Sequence, residues 1–276
     1  MANFTAADIK ALREQTAAGM LDVKKALEEA DGDMAKAAEI LRVKGLKGVT
    51  KREGRSASNG LVAARAEDGS GTLVEVNCET DFVAKGERFL ALADQVLDQA
   101  VATSAADADT LLASTMPDGR SVQALLDDGN ATIGEKIEVR RIARLEGERV
   151  VAYLHRTSKD LPPQIGVLVA TTGGDEAVAR DLAMHVAAFS PTVLTREEIP
   201  PETVAEERRL AEATSREEGK PEAALPRIVE GRLNGFFKES VLLEQAYAKD
   251  QKKSVGQVLK EAGAEATGFR RFRVGG

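Results

Sequence analysis

The sequence predicts an α+β protein: three short helices at the N-terminus, a duplicated α+β core of two subdomains, and an antiparallel helical hairpin inserted in the second. Three observations carry this. Apolar residues in the first stretch recur at helical spacing. The order strand, loop, strand, helix then appears twice, and a charged stretch with a thin apolar stripe interrupts the second copy. The boundaries drawn from these changes are 1–55, 56–145 and 146–276, with the hairpin at about 200–240.

Each element has its own signal. Thr5 with Asp8 forms a capping-box pattern, and Ile9, Leu12 and Thr16 follow on one face. Gly19 breaks the chain, and Asp22 is expected to cap a second helix carrying Val23, Ala26, Leu27 and Ala30. Asp31-Gly32-Asp33 reads as a turn, with Asp33 capping a third helix through Met34, Ala37 and Leu41, and Gly45 and Gly48 are expected to end it. Three helices in so short a stretch have the size of a docking module. Lys44, Lys47, Lys51, Arg52 and Arg55, opposed only by Glu53, read most simply as a solvated linker, with an RNA-binding patch as the alternative.

The middle of the chain changes to β-type patterning. Leu61–Ala66 and Thr72–Val76 flank the turn Asp68-Gly69-Ser70-Gly71 and read as a hairpin. Phe89, Leu92, Ala93, Val96 and Leu97 then mark an amphipathic helix. In the second copy, Val150–His155 and Ile165–Thr171 are strands around Pro162-Pro163, followed by a helix with Val178, Leu182, His185, Val186 and Phe189. Pro200-Pro201 opens the charged helix, Glu202 to Glu218, with Val204, Leu210 and Ala211 as its stripe. Pro226 starts a return helix through Val229, Leu233, Phe236 and Phe237. A seam this thin makes a protruding arm and not a free-standing coiled coil. Ser254–Ala262 reads as a last helix and Phe269–Val274 as a last strand.

Composition narrows the function. Hydrophobic residues make up 43% and charged residues 30% of 276, with a net charge of −7, which disfavours bulk nucleic-acid binding. Cys78 is the single cysteine, so an internal disulfide and a thiolate-rich metal site are both ruled out. No secretory leader pattern opens the chain and no apolar run approaches a bilayer span, so a cytoplasmic protein without membrane contact is expected.

Enzyme chemistry finds little footing. Gly129-Asn-Ala-Thr-Ile-Gly134 imitates the start of a phosphate loop, but Glu135 stands where the lysine must be. His185 lies on an apolar helix face and Cys78 in a strand pattern, and both read as core residues. Neither catalytic nor metal-ligating residues are assigned. Cys78-Glu79-Thr80-Asp81-Phe82-Val83-Ala84-Lys85 asks for an explanation, because an acid and an aromatic stand together at a strand exit. From composition alone the reading is a helix start, with Thr80 or Asp81 as the cap and Phe82 tucked into the core.

Two stretches carry a resemblance. Leu12-Arg13-Glu14-Gln15-Thr16-Ala17-Ala18-Gly19-Met20-Leu21-Asp22-Val23-Lys24-Lys25-Ala26-Leu27 and Glu75-Val76-Asn77-Cys78-Glu79-Thr80-Asp81-Phe82-Val83-Ala84 closely resemble the signatures of the elongation factor Ts family. Gly166-Val167-Leu168-Val169, Ala183-Met184-His185-Val186-Ala187-Ala188, Val229-Glu230-Gly231-Arg232 and Thr267-Gly268-Phe269-Arg270-Arg271-Phe272 add to it in the family's order. The resemblance implies a ubiquitin-associated-like N-terminal module and a guanine-nucleotide exchange factor for the GTPase elongation factor Tu. It implies that Arg13, Met20, Leu21 and Lys24 dock on the partner's G domain. Thr80, Asp81, Phe82 and Val83 would disturb the partner's Mg²⁺ and phosphate site, with His155 a further contact. No cofactor of its own is implied, since GDP and Mg²⁺ belong to the partner. The alternatives are a helical docking protein for some other partner and, further off, an enzyme built on Cys78.

Overall fold

The structure is a computed structural model, in which residues 3–16, 18–52 and 54–276 are described. Ala17, Glu53 and the side chains of Lys47, Lys51 and Arg52 lie outside the described residues.

Helices α1 (Ala6–Thr16), α2 (Met20–Glu29) and α3 (Met34–Arg52) open the chain. The Thr5–Asp8 box forms as the sequence predicts: the Asp8 amide donates to Thr5 Oγ1 and the Thr5 amide to Asp8 Oδ2. Asp33 caps α3 by accepting from the Ala35 and Lys36 amides. Asp22 does not cap α2. Gly19 holds that position, and Asp22 sits in the first turn, where its charge meets the positive end of the helix. Leu12, Val23, Ala26, Leu27, Ala37 and Leu41 make the module's own small core.

Nor does α3 end at Gly45 or Gly48; it is helical to Arg52. A glycine in a helix is as often a place of close approach as a stop, and Gly45 is the former. A Cβ there would sit 2.7 Å from the Ala131 Cβ of a later helix, and Arg42 pairs with Asp128 of that same helix at 3.1 Å. The third helix therefore fastens the module to the core.

The first core half is the antiparallel sheet β1 (Asn59–Glu67), β2 (Ser70–Cys78) and β3 (Ile137–Glu146), in that order. Asp68 and Gly69, both at positive φ, close the β1–β2 turn. Between β2 and β3 lie a single turn α4 (Asp81–Ala84), then α5 (Glu87–Thr103), α6 (Ala108–Ala113) and α7 (Val122–Ile133). The stretch that imitates a phosphate loop is the end of α7, closed by Gly134 in the left-handed conformation. The second half is β4 (Arg149–His155), β5 (Ile165–Gly173) and later β8, again antiparallel, with α8 (Glu176–Phe189) on its outer face. The hairpin α9 (Pro201–Glu217) and α10 (Leu225–Ser240) follows, then β6 (Ala246–Tyr247), β7 (Asp250–Ser254), α11 (Val255–Glu261) and β8 (Ala264–Arg273). Strands β3, β6 and β7 and helices α6 and α7 have no counterpart in the sequence reading.

The halves stack sheet to sheet, with helices outside. Leu61, Val74 and Val76 face α5 and α7, while Val62 and Leu73 face Leu168, Ala170 and Phe272 of the other sheet. On β5, Ile165, Val167 and Val169 turn toward α8. The strict alternation lets each sheet bury both faces. Gly166 lets them approach closely: a Cβ there would overlap Val62 Cγ1 and sit 2.7 Å from Leu73 Cδ1. Glu75 is fully buried in this interface, where Arg141 Nε donates to its Oε2 at 2.6 Å and the Gly275 amide donates to its Oε1.

In the hairpin, Val229, Leu233 and Phe237 pack on Ala211, and Ser215 is buried on the same α9 face. Leu210, expected in the stripe, is 43% exposed instead, because Ala211 and Ser215 take the facing positions.

Candidate functional site

Strand β2 delivers the chain from a fully buried position, Cys78, to a largely exposed one, Phe82, within five residues. Cys78 is buried and its Sγ donates to the Thr80 carbonyl; burial, with Glu135 nearby, pushes its thiol up to about 12. A thiolate nucleophile is not available there. Glu79 is half-buried, accepts from the Lys136 amide at 2.7 Å and pairs with Arg55.

Thr80 ends the extended backbone and is the N-cap of α4, its hydroxyl accepting from the Val83 amide at 3.3 Å. Glu135, just past α7, takes the Thr80 amide at 3.0 Å and the Thr80 hydroxyl at 2.6 Å. Asp81 is exposed and pairs with Lys85 one turn on at 3.0 Å, and that hydrogen bond holds its carboxyl below the usual carboxylate range. Val83 packs on the core and Ala84 is buried.

Phe82 is 81% exposed. The expectation that it tucks into the core is therefore wrong, and the reason is geometric. In a four-residue helix only one side can face inward, and Val83 and Ala84 occupy it.

Arg13, Met20, Leu21 and Lys24 are all exposed on α1 and α2. Met20 and Leu21, at 61% and 73% exposure, form an apolar step at the start of α2, and Lys24 pairs loosely with Glu28 at 3.8 Å. This surface and the Phe82 turn are tied together: Arg88, in the first turn of α5, donates to the Glu14 carbonyl on α1 at 2.9 Å. Among the described residues no hydrogen bond joins the His155 side chain to either. It ends β4, exposed, with its Nδ1 3.2 Å from the Tyr153 hydroxyl. Its neighbours Leu154 and Arg156 line a cleft of about 360 Å³ whose other wall includes Lys85 and Leu90.

His185 is a core residue, as the sequence predicts. Its Nδ1 accepts from the Ala248 amide and its Nε2 faces Gln245 Oε1 at 2.9 Å, which sets the neutral Nε2–H tautomer. It stacks on Phe189 and Tyr247, and burial lowers its pKa. Among the described residues, no cluster of His, Cys, Asp and Glu is arranged to hold a metal ion, and no helix is long and apolar enough to cross a membrane.

A family described as elongation factor TS matches residues 79–276, beginning at the acid that opens the Thr80 turn. Over the full length of both chains, the sequence is 63% identical to the elongation factor Ts of Beutenbergia cavernae. The corresponding proteins of Micrococcus luteus and Kocuria rhizophila are 62% and 61% identical, again over the whole of each chain. The chain belongs to the elongation factor Ts family.

Glu135 and Glu79 support the Thr80–Val83 turn, and the sequence alone did not point to either. Glu135 entered only as the residue that disqualifies a phosphate loop. The signal that it is a partner of Thr80 lies in the pairing of β2 with β3, which aligns Cys78 with Ile137 and so brings residues 79–80 beside 135–136.

Proposed function

We propose that this chain is a guanine-nucleotide exchange factor for elongation factor Tu, acting in the cytoplasm by binding alone. It performs no covalent step and carries no cofactor of its own; GDP and Mg²⁺ are the partner's. The observation that carries the reading is Phe82: a large apolar side chain, 81% exposed, on a turn held by a buried strand and by Glu135.

The three-helix module of residues 1–55 docks on the G domain through Arg13, Met20, Leu21 and Lys24, and the two core subdomains carry the rest of the contact surface. Docking places the turn Thr80–Val83 beside the partner's Mg²⁺ and phosphate site, with His155 as a further contact. Burying a Phe side chain is worth about 1.5–3 kcal/mol. That gain is realised only when the nucleotide-bound packing of the partner opens, so it is subtracted from the barrier to release. Each 1.4 kcal/mol or so is about tenfold in rate, and the wedge alone therefore accounts for roughly ten- to a hundredfold. Asp81, held ionised by Lys85, brings a negative acceptor to where backbone donors had held phosphate. Nucleotide and exchange factor then weaken each other's binding by the same factor, as coupled sites must.

The test is release of fluorescent GDP from elongation factor Tu, chased with unlabelled nucleotide, using the wild-type chain and Phe82→Ala. Acceleration by the wild type, with Phe82→Ala binding as tightly but accelerating at least about tenfold less, supports the wedge. An unchanged release rate at saturating wild-type protein rejects exchange and leaves a docking protein.

A further inference from the structure

Helix α4 is one turn long, and a single helical turn does not hold itself. Its cap depends on Thr80 presenting a hydroxyl lone pair to the Val83 amide. A hydroxyl has one proton and two lone pairs, so which way it points is decided by what takes the proton. Here Glu135 Oε1 takes it at 2.6 Å, while Oε2 accepts the Thr80 amide at 3.0 Å. A carboxylate accepts only, so the Thr80 hydroxyl can serve as donor to Glu135 and as acceptor for Val83 but not the reverse. The brace is reciprocal, because Glu79 accepts the amide of Lys136, the residue after Glu135.

We propose that Glu135 is a positioning residue for nucleotide exchange: it presets the turn that carries Phe82 before any partner is met. The proposal rests on the exchange-factor reading. Without Glu135, Val83 and Ala84 still pack inward, but the Thr80 cap is free to rotate and Phe82 no longer arrives in one orientation. The docked complex then forms as before, and only a fraction of it holds the turn in working order.

The experiment uses the full chain as wild type, Glu135→Ala, Glu135→Gln, Phe82→Ala and the double variant Phe82→Ala/Glu135→Ala. Maximal GDP release and half-saturating concentration are measured on elongation factor Tu, with amide hydrogen exchange of Thr80 and Val83 in the free chain. Glu135→Ala is expected to lower the maximal rate about tenfold, change the half-saturating concentration less than about twofold, and speed exchange at both amides by about tenfold. Glu135→Gln, which can accept only one of the two donors, falls between. In the Phe82→Ala background the Glu135 substitution should add less than about twofold, since it acts through a side chain already gone. A Glu135→Ala rate equal to wild type beside a slow Phe82→Ala overturns the proposal and leaves the exchange reading standing. An equal loss in both backgrounds overturns it as well, since Glu135 would then act on overall stability. Wild-type release by Phe82→Ala removes the wedge reading itself, and the proposal with it.

Discussion

The close contact between the two sheets can be tested at Gly166. An added methyl there meets Val62 and Leu73, which are 1% and 0% exposed. Val62 is β-branched and has little rotamer freedom to yield. Overpacking of this kind costs about 1–3 kcal/mol. Against it stands the smaller entropy loss of Ala than Gly on folding, about 0.4–1 kcal/mol in its favour, because Gly166 is not at positive φ. The steric cost wins, and Gly166→Ala is expected to be destabilised by about 1–2 kcal/mol. For a chain of this size that lowers Tm by roughly 2–6 °C in a calorimetric scan. Val62→Ala alone should also destabilise, by about 1–3 kcal/mol through the lost methyls. The double variant should then be more stable than the sum of the two by about 1 kcal/mol or more, since each change supplies what the other lacks. A Gly166→Ala protein at or above wild-type stability, or strict additivity in the double variant, would refute the close-approach argument.

Other parts of the molecule make separate demands. Arg141→Ala leaves the buried Glu75 carboxyl without its guanidinium partner; with Arg141 35% exposed, the loss should be roughly 2–3 kcal/mol, read as a fall in urea midpoint, whereas replacing both residues by leucine should recover most of it. Cys78 should resist a thiol reagent in the folded chain and react only at the rate of unfolding, since burial holds its thiol near 12; rapid labelling under native conditions contradicts this. His185 is held below the usual histidine value by burial. The unfolded chain therefore binds the proton more readily, and stability present above about pH 6.5 is lost as the pH falls below it. The urea midpoint should drop more steeply with acid in the wild type than in His185→Gln, and parallel slopes would exclude His185 as the cause.

Much of the fold was legible because its signals are local. The Asp68-Gly69 turn, the Thr5 and Asp33 caps and the continuous apolar run of β5 each follow from residues within a few positions. What could not be read depends on distant neighbours. Gly45 looks like a stop until Ala131 is known to lie against it. Strand β3 hides because Arg140, Arg141 and Arg144 break its apolar pattern, and one of them is there to meet the buried Glu75. Phe82 illustrates the same limit at the candidate site. Its neighbours in sequence favour a buried aromatic, and only the depth of Val83 and Ala84 in the packed core decides that it points outward.

The stacked-sheet design also has a consequence for how the chain folds during its own synthesis. Strand β5 is the middle strand of its sheet, yet its partner β8 is not supplied until Ala264 onward, after α8, the whole hairpin and α11 have been made. The first sheet has all its strands once β3 has been made, and folded at that point it would offer Val62 and Leu73 as a surface on which β4 and β5 could settle. In that order the earlier half would be a template for the later one. Until β8 arrives, one edge of β5 stands open, an aggregation-prone feature. The interval is short at ordinary synthesis rates of about 5–20 residues per second, and a pause between α8 and β8 would lengthen the exposure directly.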